Sequence, residues 1–129
     1  MKVKKKILIV DDSGAQRLKV QVLLEDKFNI EEASSGFDAL DKLRTIDDID
    51  LIILDVNMPE MSGIELVEYI VTEDGLKEIP TIMLTTESSP QMKDQVRHCG
   101  FVRCWIIKPI TKDLLDRAIQ RIIGDSGEK

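Results

Sequence analysis

What this 129-residue chain lacks already narrows what it can do. No apolar run approaches the roughly 18 residues that a membrane-spanning helix requires. The basic start, Lys2 with Lys4-Lys5-Lys6, leads into only the short apolar stretch Ile7-Leu8-Ile9-Val10, too little for the core of a signal peptide. Both absences point to a cytoplasmic protein. Positive charge is in deficit, with 18 Lys and Arg against 24 Asp and Glu, a formal net charge of −6 and a pI near 4.8. Phosphate backbones are gripped by clustered Lys and Arg, so nucleic acid is not an expected partner. The lysines near the N-terminus read as a solvated lead-in to the first strand. Cysteine and histidine are scarce. Cys99, Cys104 and His98 lie close together, but their number and spacing match no zinc motif, and two free, reduced thiols are expected. No internal repeat or linker divides the chain, which reads as a single domain over 1–129 with a frayed tail at 124–129.

What is present is a regular alternation. A hydrophobic content of 43% with 33% charged residues suits a soluble globular protein. Strands are expected near 5–11, 28–33, 50–55, 79–85 and 103–107. Helices are expected near 14–27, 36–46, 63–73, 90–99 and 112–123. Five strands alternating with helices predict an α/β fold, a doubly wound (βα)5 parallel sheet covered on both faces. The polar run Asn29-Ile30-Glu31-Glu32-Ala33 marks an edge strand. Ser35 to Asp38 and Ser62 to Glu65 match the Ser-x-x-acid capping box, Ser89 precedes Pro90 as a cap before the first helical position, and Thr111 can cap the last helix. That last helix has a clear apolar stripe in Leu114, Leu115, Ala118, Ile119, Ile122 and Ile123, whereas the helix after Ser89 offers mainly Met92, Val96 and Cys99.

The chemistry gathers at strand ends. Asp11 and Asp12 follow the apolar run Ile7–Val10, and Asp55 follows Leu51-Ile52-Ile53-Leu54. In an open parallel sheet, ligands bind outside the carboxyl ends of the strands. Three carboxylates converging there repel one another; two unit charges about 4 Å apart cost roughly 4 kcal/mol at an effective dielectric of 20. A hard divalent cation answers that repulsion, and magnesium, which takes one or two carboxylates plus a phosphate and waters, suits the set. Thr85 ends the fourth strand and Lys108-Pro109 follows the fifth. Lys108 offers a compact positive charge to a phosphoryl oxygen, Thr85 a hydroxyl, and a carboxylate beside the metal is a competent nucleophile. These parts suit phosphoryl transfer, which needs mostly positioning and charge neutralisation. Singly, each has an ordinary reading as a cap, a loop or a strand end. Jointly, five of them on four strands would have to coincide at one sheet edge.

On these residues the chain resembles the receiver domain of two-component response regulators, of the stand-alone CheY-like type, from about Lys5 to Ile123. The motifs are Asp11-Asp12, Asp55 with Met58-Pro59 and Gly63, Thr85, and Lys108-Pro109. The resemblance implies a flavodoxin-like fold with strand order 2-1-3-4-5. It implies that Asp55 is the phosphoacceptor, and that Asp12, Asp55 and the Asn57 carbonyl hold Mg²⁺ while Asp11 acts on it mainly through water. Thr85 corresponds to the switch hydroxyl and Lys108 to the lysine that pairs with the phosphoryl group. Pro109 corresponds to a cis-proline, and Trp105 stands at the switch-aromatic position. Asn57 and Glu87 fall where the family tunes the lifetime of the phosphorylated state, and this pair implies comparatively rapid autodephosphorylation.

Two departures stand out. The family usually has Tyr or Phe where this chain has Trp105, a residue that also reads simply as a large side chain packed on an edge strand. From Gly100 to Trp105 the spacing is one residue longer than the familiar pattern, so the entry to the fifth strand is expected to bulge.

The expected role is a phosphorylation-activated switch rather than an enzyme, fed by a histidine kinase or a small phosphodonor. It would signal by protein–protein contact through the helix after Ser89, the fifth strand and the last helix, as a monomer or weak dimer. A phosphorelay intermediate serving a histidine phosphotransfer protein fits the same residues. A flavodoxin-like cofactor binder would need a phosphate loop where Asp11-Asp12 stands. An aspartyl-phosphate hydrolase would usually place two Asp two residues apart on one strand.

Overall fold

The computed structural model describes residues 4–87 and 89–124. Lys2 and residues 125–129 of the expected tail lie outside the described residues. The chain runs β1 (Lys6–Val10), α1 (Gly14–Leu24), β2 (Asn29–Ala33), α2 (Gly36–Thr45), β3 (Ile49–Asp55), α3 (Gly63–Thr72), β4 (Thr81–Thr85), α4 (Pro90–Gln95), β5 (Val102–Ile107) and α5 (Lys112–Ile123). All strand pairs are parallel and the sheet order is β2-β1-β3-β4-β5, so the expected fold and order hold.

Side chains alternate across each strand and are buried on both faces, which is why the interior strands are continuous apolar runs. Leu8, Val10, Ile52, Leu54 and Met83 point to one face and pack with Leu40 of α2 and Leu66, Val67 and Ile70 of α3. Ile7, Ile9, Leu51, Ile53, Ile82 and Leu84 point to the other, against Val20 and Leu24 of α1 and Leu115 and Ile119 of α5. Cys99 belongs to the first layer, whereas Cys104 packs at the margin of the second, so the two free thiols lie on opposite faces of the sheet. Lys6 pairs with Asp48 at 2.9 Å, which makes it part of the strand's own support.

Several boundaries differ from expectation. Helix α1 stops at Leu24 rather than near residue 27, because the chain turns there to bury Phe28. Helix α4 ends at Gln95, four residues short of the expected end. Val96 leaves helical geometry at φ −114°, ψ 12°, and it and Cys99 reach the core from turns instead. Strand β4 starts at Thr81 rather than residue 79, after Pro80, which has no N–H to give a ladder.

The expected bulge is present: Thr81 pairs with Val102 but Ile82 pairs with Cys104, leaving Arg103 as the extra residue. Ser62 and Glu65 form a full capping box. The Ser35–Asp38 pair makes only half of one. The Asp38 backbone N–H donates to Ser35 Oγ, but the shorter Asp38 carboxylate accepts from the Ser34 N–H instead of that of Ser35. In α5 the apolar stripe is wider than the face it buries, and Leu114 is 40% exposed.

Candidate functional site

The site forms where four parallel strands stop. Asp11 follows β1 and extends its ladder, its N–H donating to the Ala33 carbonyl at 3.1 Å. Ser13, and not Asp12, caps α1: its side chain accepts the Gln16 N–H at 3.3 Å, which leaves the exposed Asp12 carboxylate available. Asp55 is the last residue of β3 and is buried. Thr85 ends β4, and the Lys108 N–H donates to the Thr85 carbonyl at 2.8 Å, bringing the end of β5 to the same edge.

These placements bring one carboxylate oxygen each of Asp11, Asp12 and Asp55 within 4.8 Å of one another. Lys108 Nζ donates to Asp55 Oδ1 at 3.0 Å, across 53 residues of sequence. Burial pushes the Asp11 carboxyl above its ordinary range. The Ser13 N–H that donates to its Oδ1 at 2.9 Å opposes that rise, the neighbouring Asp55 adds to it, Lys108 opposes it and Asp12 adds to it. One lysine therefore does not neutralise three carboxylates. The donor set is all oxygen and anionic, two of its members are buried, and one is driven toward protonation by burial and by its acidic neighbours. That is the environment a hard divalent cation relieves, and Asp11, Asp12 and Asp55 fit Mg²⁺.

The β3–α3 loop is shaped around Asp55. The Gly63 N–H donates to the Val56 carbonyl at 2.9 Å. A Cβ at Gly63 would lie 2.5 Å from the Asp55 carbonyl oxygen and 3.0 Å from Val56 Cα, so only glycine lets α3 begin this close to the strand end. Met58 is buried while Asn57 and Pro59 are exposed, and Glu60 takes a left-handed conformation with φ 68°. The Lys108–Pro109 peptide is cis.

On the other side the arrangement is looser. The Thr85 hydroxyl donates to the Glu87 carbonyl at 2.9 Å and accepts the Glu87 N–H at 3.3 Å, so it is engaged with its own loop rather than with Asp55. Glu87 is exposed. Trp105 is half-buried against the layer containing Met83, with Lys93 Nζ of α4 6.0 Å from its ring centroid. No residue of α4 is buried. A groove of about 430 Å³ lies between β5 and α5, lined by apolar side chains that include Ile107, Leu114 and Ile122 and by Arg103, Arg117 and Arg121.

Sequence reasoning missed two residues here. Ser13 had a usable signal, a capping residue directly before the helix. Arg17 had none: its guanidinium donates to the Asp11 carbonyl at 2.7 Å and to Glu32 at 2.9 Å, and the second contact is created only when β2 lies beside β1.

The chain is similar to known proteins over most of its length. The family model described as the response regulator receiver domain matches residues 7–120. Chemotaxis protein CheY-3 of Vibrio cholerae is 37% identical over 123 residues, covering 91% of this chain and 93% of its own. Chemotaxis protein CheY1 of Helicobacter pylori is 35% identical over 121 residues, covering 92% and 97%. Among solved structures, V. cholerae CheY4 superposes with a TM-score of 0.85 at 37% identity, covering 94% of this chain and all of the other. No described helix is long and apolar enough to cross a membrane. Matched over nearly its whole length, with the acidic cluster, threonine and lysine gathered at one sheet edge, the chain belongs to the response regulator receiver domain family.

Proposed function

We propose that this receiver domain is a phosphorylation-activated switch in which Asp55 accepts a phosphoryl group, from a histidine kinase or a small phosphodonor, in a Mg²⁺-dependent step. The observation that carries the reading is the contact of Lys108 Nζ with Asp55 Oδ1 at 3.0 Å, beside the Asp11 and Asp12 carboxylates. Asp12, Asp55 and the Asn57 carbonyl would hold the ion, with Asp11 acting on it through water. Bound there, Mg²⁺ would offset charge on the phosphoryl oxygens and on Asp55 together.

An Asp55 carboxylate oxygen attacks phosphorus, the bond to the donor breaks, and the leaving group departs with its electron pair, leaving an acyl phosphate on Asp55. Lys108 is already placed to follow the negative charge from the carboxylate to the phosphoryl group. Thr85 exchanges its contacts with Glu87 for the new oxygens. The chain turns over no separate substrate and so acts as a self-modifying switch rather than an enzyme.

Output follows from the loosely held side. A dianionic group at Asp55 biases Thr85, Trp105 and α4 toward a second arrangement, a population shift driven by local charge. The α4-β5-α5 face then changes its affinity for a downstream protein. Asn57 and Glu87 leave the water path to phosphorus open, giving rapid autodephosphorylation; an acyl-phosphate half-life of many hours in Mg²⁺ would contradict that.

The direct test is labelling by radioactive acetyl phosphate with and without Mg²⁺. Wild type should take up one hydroxylamine-sensitive label only with Mg²⁺, and Asp55→Asn none. Full Mg²⁺-dependent labelling of Asp55→Asn would refute the assignment.

A further inference from the structure

Arg17 stands in α1, outside the carboxylate cluster, yet its contacts lead straight to it. Its Nη1 donates to the Asp11 carbonyl oxygen at 2.7 Å and its Nε donates to Glu32 Oε1 at 2.9 Å. That carbonyl belongs to the peptide joining Asp11 to Asp12, and the plane of this peptide restrains Asp11 ψ and Asp12 φ and so the relative placement of the two Cα–Cβ bonds. The same segment is tied at three more points. The Asp11 N–H donates to the Ala33 carbonyl at 3.1 Å, the Ser13 N–H donates to Asp11 Oδ1 at 2.9 Å, and the Arg17 N–H donates to the Ser13 carbonyl at 3.0 Å.

The brace opposes a real force. Asp11 is buried beside Asp55 and Asp12, and the exposed Asp12 can lower the repulsion by rotating toward water. A peptide pinned at its carbonyl fixes the backbone from which the Asp12 side chain departs, which narrows the positions its carboxylate can take before any ion arrives. Glu32, on β2 next to Ala33, holds the guanidinium in place from the neighbouring strand, so the planar fork spans a strand and a loop at once.

We infer that Arg17, anchored by Glu32, is a positioning residue that fixes the Asp11–Asp12 peptide and so sets the affinity of the acidic cluster for Mg²⁺. This rests on the Mg²⁺ reading given above. Groups that orient metal ligands without touching the ion change metal affinity by roughly tenfold or more when removed.

The test is Mg²⁺ titration by calorimetry of the whole chain with no phosphodonor present, followed by acetyl phosphate labelling across Mg²⁺ concentrations. Arg17→Ala should weaken Mg²⁺ binding roughly tenfold. It should raise the Mg²⁺ needed for half-maximal labelling by the same factor, with the maximal rate recovered at saturating Mg²⁺. Arg17→Lys, which can reach one partner but not fork between both, should fall between Arg17→Ala and wild type. Glu32→Gln should weaken binding by a smaller factor. If Arg17→Ala does not fold, the two milder variants carry the test. A brace that only supports the fold would lower the melting temperature and leave the Mg²⁺ Kd of folded variants at the wild-type value, and that result overturns the inference. Absence of Mg²⁺ binding in wild type would overturn the metal reading and this role with it. Wild-type binding with unchanged variants would overturn the role of Arg17 alone.

Discussion

The two sides of the site are built to opposite standards. The side made by β1, β3 and the N-terminus of α3 is pinned: Asp11 is held at its N–H, carbonyl and carboxylate, and α3 starts against the Asp55 backbone with room for no side chain. On the other side β4 is fully buried, but α4 and the edge strand β5 are thinly held. Helix α4 spans Pro90–Gln95 and buries none of its residues, the Thr85 hydroxyl bonds within its own loop, and Trp105 is half-buried. The contrast teaches where each kind of stability is needed. Gathering like charges requires a frame that does not yield, whereas transmitting a signal requires a segment whose alternative arrangement costs little. Regions with few buried apolar contacts are the ones that open most readily.

The comparison is broken most severely by Gly63→Ala. The added Cβ meets backbone at 2.5 Å, from Asp55, so strand end or helix must shift. We expect a loss of about 3 kcal/mol in denaturant unfolding, with loss of Mg²⁺-dependent labelling. Gly36→Ala is the control. Its Cβ also approaches an atom at 2.5 Å, but that atom is the Met61 sulfur, and Cγ and Cβ of the same side chain follow at 2.9 and 3.0 Å, so a side chain rather than backbone must give and the cost should be smaller.

Asp11→Asn tests whether the pinned side is under electrostatic load. It should stabilise the metal-free protein by about 1 kcal/mol at neutral pH, an advantage that shrinks as Mg²⁺ is added. The pH dependence has a definite sign. Asp11 in the folded protein titrates above its ordinary 3.8, so the folded state keeps the proton longer than the unfolded one. Stability contributed by this group is therefore lost as pH rises from about that value through the folded one. The Asp11→Asn protein should lack that slope in urea midpoints measured across the window.

Smaller effects are expected where the structure is already loose. Removing the Lys93 cation from the Trp105 ring should cost at most about 0.5 kcal/mol, so Lys93→Ala should barely move the melting temperature. The same substitution should shift the Trp105 emission spectrum, because the indole loses its cover; an unchanged spectrum would show that α4 does not govern the aromatic. A change of similar size and opposite sign is expected on the pinned side. Glu60 holds φ 68°, and Glu60→Gly should gain about 0.5 kcal/mol by relieving the Cβ clash, partly offset by greater freedom in the unfolded chain.

Much of this architecture is legible in the sequence. Strand runs such as Leu51–Leu54 are apolar on both faces because helices cover both, and one extra residue between Gly100 and Trp105 announced the bulge at Arg103. The limits of reading are equally local. Helical signals continued past Gln95, but Val96 and Cys99 are buried from turns because the core requires them there. The stripe on α5 read as core throughout, yet Leu114 lines an open groove because β5 ends the sheet and nothing described covers its far side.

The sequence by itself determined the alternation, the two-faced burial and the placing of Asp11, Asp12, Asp55, Thr85 and Lys108 at strand ends. All of these follow from local periodicity and from where apolar runs stop. Tertiary structure alone decided how those ends meet. Lys108 reaches Asp55 across 53 residues, the Asp11 carboxyl rises because burial and neighbours act on it at once, and Arg17 finds Glu32 only when β2 pairs with β1. Periodicity specifies which face a residue takes, but the force between two charges depends on a distance that exists only after the strands have been laid side by side.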